Sequence, residues 1–89
     1  MSMMIYGLTR KQVGVIFSNY KRGNLPKLND EIIKFLYDHV ADQKHYSDSH
    51  LQDVYDRART GLEAIFAGGF ESAQESIIGS YEAFNIYYK

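Results

Sequence analysis

Between residues 51 and 66 the apolar side chains fall at Leu51, Val54, Tyr55, Ala58, Leu62, Ile65 and Phe66. Steps of three and four place all seven on one side of a helix. Gly68 and Gly69 stop that helix. A second run of the same period follows at once, with Phe70, Ala73, Ile77, Tyr81, Phe84 and Tyr88 on one face and Ile78 beside it. Two one-sided helices joined through two glycines bury their faces most directly by folding back on each other. The expected core is therefore a helical hairpin, and the expected fold is all-α.

Two shorter helices precede it. Thr9 and Gln12 have the spacing of a capping box, and Leu8 and Val13 that of a hydrophobic staple. Val13, Ile16, Phe17 and Tyr20 follow on one face, and Gly23, Asn24 and Pro26 end the helix. Asn29 caps the next, with Asp30 and Glu31 in the first turn, where the helix dipole favours acids. Its stripe is Ile32, Ile33, Leu36 and Val40, flanked by Phe35 and Tyr37, and it should fade near residues 42–44. For the third helix Ser47 and Ser49 are the candidate caps. Ser72, with Glu75 at capping-box distance, or Phe70 should open the fourth. The expectation is a small antiparallel bundle of three to four helices with short connections. Strand patterning is confined to residues 3–6, so residues 1–7 are a candidate N-terminal arm. Gly14, Gly61 and Gly79 lie inside helices, where each costs up to ~1 kcal/mol against alanine unless it permits a close crossing.

Eighty-nine residues make one domain, residues 1–89. There is no cysteine, so neither a disulfide nor a thiolate metal site can brace the core. That fits a reducing cytoplasm. No apolar run approaches the ~20 residues of a membrane span, and the first residues lack the basic start of a signal peptide. Thirteen residues are aromatic, eight of them tyrosine, a residue suited to half-buried positions and interfaces.

Charge is divided along the chain. The first 34 residues hold six basic and two acidic side chains, a net of +4. The remaining 55 hold four basic and nine acidic, a net of −5. Lys11, Val15, Ser18 and Arg22 form an outer stripe on the first helix. Arg10 and Lys11 stand in its first turn, where the dipole disfavours cations. With Lys21 and Lys27 they make a candidate partner-binding patch: Arg10, Lys11, Lys21, Arg22 and Lys27. A second candidate is apolar. Tyr6, Ile86 and Tyr87 have no place on the core stripes, and exposed apolar groups of this kind mark interfaces.

No catalytic set is expected. Ser47 and Ser49 adjoin His50 but are accounted for as helix caps. Asp53, Asp56, Glu71 and Glu75 lie on wet faces where nothing tunes them for acid–base work. The glycines at 68 and 69 lack the lysine of a phosphate loop. His39, His45 and His50 cluster around the link between helices two and three, among several aspartates, and are the candidate metal ligands. Their spacing matches no ligand motif, and His39 falls at the edge of an apolar stripe. No metal and no cofactor are expected.

Residues 61–80 resemble the helix–turn–helix junction of a tetratricopeptide repeat. Gly68, Gly69, Phe70 and Ala73 carry the likeness, and Gly61 stands where that repeat has a small residue. Ala64 stands where the repeat has an aromatic, and no second copy precedes it. The resemblance therefore implies hairpin geometry and not a peptide-binding solenoid. Residues 9–17, 20–25 and 33–37 resemble small uncharacterised helical proteins of phages and mobile elements of Gram-positive bacteria. That resemblance implies a small accessory factor and assigns no functional residue.

The sequence thus leads to a cytoplasmic, non-enzymatic protein-interaction module, an accessory or regulatory factor that associates with itself, with no membrane and no small-molecule substrate. The alternative is a nucleic-acid-associated regulator using the basic first helix and its loop.

Overall fold

The computed structural model describes residues 9–40 and 46–88. The N-terminal segment containing Leu8 and Tyr6, and the link containing His45, lie outside them. Among the described residues there are four helices and no strand: α1 (Arg10–Lys21), α2 (Asp30–Phe35), α3 (Ser49–Phe66) and α4 (Phe70–Tyr88). No helix among them is long and apolar enough to cross a membrane.

The caps of α1 and α2 are those the spacing indicates. Thr9 accepts from the Gln12 N–H, and the Gln12 side chain takes the Thr9 N–H at 2.8 Å. Asn29 Oδ1 accepts from the Ile32 N–H at 3.0 Å. Both glycine stops work alike. The Gly23 N–H bonds the Tyr20 carbonyl and the Asn24 N–H the Asn19 carbonyl, while Gly68 and Gly69 reach Ile65 and Ala64 in the same pattern. Gly23 and Gly68 have φ of 85° and 95°. This left-handed turn satisfies the last carbonyls of a helix and favours glycine.

α3 and α4 form the hairpin. Ser80 donates to the Val54 carbonyl, Ser76 to the Arg57 carbonyl, and the Tyr88 hydroxyl to Asp48. These pairs descend along α3 as they ascend along α4, which makes the helices antiparallel. Gly61 of α3 sits directly against Ala73 and Ile77 of α4. The second helical segment lies between α1 and the hairpin. The core runs through all of them: Val13 and Ile16 of α1, Ile32, Ile33 and Phe35 of α2, Val54, Ala58, Leu62 and Ile65 of α3, and Ala73 and Ile77 of α4. Two more core residues, Leu25 and Leu28, come from the α1–α2 loop at 0% and 1% exposure. The Gln74 side chain holds that loop by accepting the Lys27 N–H at 3.0 Å.

Three expectations need correction. α2 does not run on as an α-helix toward residue 42: it ends at Phe35 and widens into a π-turn over Leu36–Val40, and residues 42–44 lie outside the described part. The cap of α3 is neither Ser47 nor Ser49 but Asp48, whose carboxylate takes the His50 and Leu51 N–H groups at 2.8 and 3.0 Å. One ionised carboxylate serves two backbone donors, which a serine hydroxyl does less well. Of the two expected starts of α4 the structure takes Phe70, and Ser72 lies inside the helix. Phe66 and Phe70 are not core: they flank the hairpin turn at 45% and 36% exposure, where the turn carries them past the packed rows.

Candidate interaction surfaces

The basic stripe on α1 is exposed. Lys11, Val15, Ser18 and Arg22 all face water. α1 contains no acidic residue and α4 no basic one, so the two outer helices carry opposite charge. The patch is not uniform. Lys21 Nζ lies 5.0 Å from the centre of the Phe17 ring and 6.0 Å from that of Tyr20, which steadies it by cation–π attraction. Lys27 turns to α4 and pairs with Glu75 at 3.4 Å. The part of the patch not turned toward α4 is therefore Arg10, Lys11, Lys21 and Arg22, with Lys34 of α2 across a small groove lined by Phe17, Lys21, Asp30, Ile33 and Tyr37.

The apolar end of α4 is exposed as well. Ile86 is 75% and Tyr87 62% exposed. Their neighbours Phe84 and Tyr88 turn inward and stack with ring centres 5.7 Å apart. Tyr87 meets the edge of His50 at 4.8 Å. Beside them runs a shallow groove floored by Gly79, Ser80 and Ala83 and walled by Asp53 and Arg57 of α3. Asp53 and Arg57, one helical turn apart, form a surface pair at 3.1 Å. The third apolar candidate, Tyr6, lies outside the described residues.

The two described histidines sit in different settings. The His39 ring packs against Phe35, Tyr55 and Phe84 at 5.5, 5.9 and 4.9 Å. His50 is an exposed first-turn residue on α3, and His45 is outside the described residues. Among the described residues no group of three His, Cys, Asp or Glu side chains could hold a metal ion. The serine hydroxyls with recorded partners are spent on backbone carbonyls: Ser18 on Gly14, Ser76 on Arg57, Ser80 on Val54.

One feature escaped the sequence reading. A groove of about 410 Å³ lies between α2 and α4. Its walls are Phe35, His39, Tyr81, Phe84 and Tyr88, side chains that the helical period assigns to the core. The Phe35 ring meets those of Tyr81 and Phe84 at 5.4 and 5.2 Å. Glu31, Lys34 and Asp38 stand on its rim. The Tyr81 hydroxyl donates to Glu31 at 3.0 Å. Two signals could have revealed it: tyrosines on an apolar stripe need somewhere to put their hydroxyls, and Glu31, Lys34 and Asp38 recur at helical spacing on the opposite element.

Burial shapes the tyrosines deeper in. It pushes the Tyr55 hydroxyl well above the usual phenol range, assisted by Tyr46, whose ring centre is 4.4 Å away. Tyr46 is raised for the same reason and donates to the His39 carbonyl at 3.1 Å.

Comparison with known protein families, with curated proteins and with solved structures gives no match.

Proposed function

We propose that this chain is a non-enzymatic protein-interaction module that pairs with a second copy of itself, a small accessory or regulatory factor of the cytoplasm. The observation that carries the reading is the exposure of Ile86 and Tyr87 at 75% and 62% on a helix whose other face is absorbed in the core. Large apolar side chains in adjacent positions lose hydration on pairing, and an aromatic beside an aliphatic anchor suits the centre of an interface. The charges fit self-recognition. A two-fold dimer brings each surface against its own copy's complement twice, and Arg10, Lys11 and Arg22 on α1 would find acids on α4 of the second copy.

Sedimentation of the full chain over a wide concentration range tests it. Mass should rise with concentration, and I86D or Y87E should hold the chain monomeric with its helical circular dichroism intact. A wild-type chain that stays monomeric throughout removes the reading.

A second reading is supported by the exposed Lys11 and Lys21 on the acid-free α1 and by Arg22 at its C-cap. It is contact with nucleic-acid phosphates, for which clustered Lys and Arg are the requirement. Affinity would then fall steeply with salt, and charge reversal at Lys11 and Arg22 would abolish it. No binding at low salt ends this alternative.

A further inference from the structure

The groove between α2 and α4 plays no part in the contacts just described, yet its chemistry is specific. Five rings wall it, and the rim set by Glu31, Lys34 and Asp38 holds two carboxylates to one ammonium. An aromatic lining alone would receive any apolar group. A net negative rim narrows the choice, because the ring faces and the carboxylates attract the same sign of charge. Glu31 already holds the Tyr81 hydroxyl, and a phenol donating to a carboxylate presents a more electron-rich ring. Asp38 is exposed and makes no hydrogen bond or ion pair among the described residues. It stands on the π-turn Leu36–Val40, a local widening that recurs at functional sites.

We propose that this groove receives the cationic end of an arginine side chain from a protein partner. Guanidinium fits better than ammonium. It is planar, stacks on rings, is less strongly hydrated, and can engage a carboxylate through two N–H groups at once. The groove is open along one side, so a free small molecule would leave much of itself in water, whereas a side chain presented by a partner surface enters through the opening. Lys34 opposes the cation from the rim and tunes how tightly it is held. The proposal extends the reading of the chain as an interaction module but needs no second copy.

Nuclear magnetic resonance on the isotope-labelled full chain tests it, with acetyl-arginine amide as the probe and acetyl-citrulline amide as its uncharged isostere. Arginine should shift the signals of Asp38, His39, Tyr81, Phe84 and Asn85, and citrulline should not. K34E should tighten binding and D38N weaken it, each by roughly two- to five-fold, the scale of one exposed charge contact. Both positions are exposed, so the fold should survive, as unchanged circular dichroism would show. Equal shifts with citrulline, shifts that map to the acidic face of α4 instead, or affinities indifferent to both substitutions would overturn the proposal. A strictly monomeric chain that still shows the shifts removes the dimer and leaves the groove, while a dimer without them does the reverse.

Discussion

Gly61 of α3 lies so close to Ile77 of α4 that a β-carbon on it would stand 2.6 Å from Ile77 Cγ1 and 2.9 Å from the Ala73 carbonyl oxygen. The nearer atom belongs to a fully buried side chain and the other to helix backbone, so neither can yield cheaply. The hairpin's spacing depends on this one missing methyl. G61A should lower stability by about 1–2 kcal/mol, because overpacking outweighs the gain in helix propensity. G79A should do the opposite. A β-carbon there meets nothing within 4 Å, so the substitution should add about 0.5–1 kcal/mol. Urea denaturation of the two variants beside the wild type separates these outcomes by sign.

The α1–α2 loop hangs on Gln74. This residue is 3% exposed and accepts the Lys27 N–H from 47 positions away. Q74M keeps the volume and removes the acceptor, so it should cost about 1–3 kcal/mol for the backbone donor it leaves unpaired. The Lys27–Glu75 pair is far more exposed, at 58% and 71%. K27M should therefore change stability by less than about 1 kcal/mol. Native-state hydrogen exchange would show Q74M loosening the segment around Leu25 and Leu28 in particular.

Asp48 makes the fold sensitive to acid. The Leu51 N–H holds its carboxyl below the usual aspartate range, helped by the His50 N–H, the Tyr88 hydroxyl and the His50 charge, against a smaller effect of desolvation. A carboxyl depressed in the folded state adds stability above its unfolded pKa, and that stability is lost as pH falls through the folded value. D48N keeps a competent helix cap but no charge to titrate. Its stability should fall less than that of the wild type below about pH 4. Thermal melts across that range check the difference.

At alkaline pH the sign reverses. Burial raises Tyr55, with Tyr46 adding to it, and raises Tyr46 in turn. A phenol raised in the folded state contributes stability that is whole below its unfolded value near pH 10 and is lost as pH climbs toward the folded one. Phenolate absorbance from Tyr46 and Tyr55 should therefore appear only above pH 10 and together with unfolding. Y55F should hold its structure to higher pH than the wild type.

What was legible in the sequence is what is decided within a few residues. Thr9 with Gln12, Asn29, and the glycines at 23 and 68 act through bonds spanning three to five positions, and each ends or begins a helix as its spacing implies. Asp48 was missed because Ser47, Asp48 and Ser49 offer three capping side chains in a row. The choice depends on partners elsewhere: Gln52 takes the Tyr46 N–H, and Tyr88, forty positions on, donates to Asp48. Leu25 and Leu28 looked like loop residues because no helical period includes them, yet the core takes both. Of the candidate surfaces, the exposure of Ile86 and Tyr87 was legible as a departure from the core stripe. The aromatic groove was not, since its walls read as core on each helix taken alone.

The sequence by itself determined an all-α chain, its caps and stops at four of the helix ends, the hairpin of α3 and α4, and the division of charge between α1 and α4. These follow from local hydrogen bonds and from the helical period. Only the tertiary structure decided that Gly61 has no room for a β-carbon while Gly79 has, that Phe66 and Phe70 face water, and that α2 widens into a π-turn. It also decided that Glu31 and Asp38 share one groove with the rings of α4. Each of these depends on which side chain arrives from another helix and how closely, a distance that no spacing within one helix encodes.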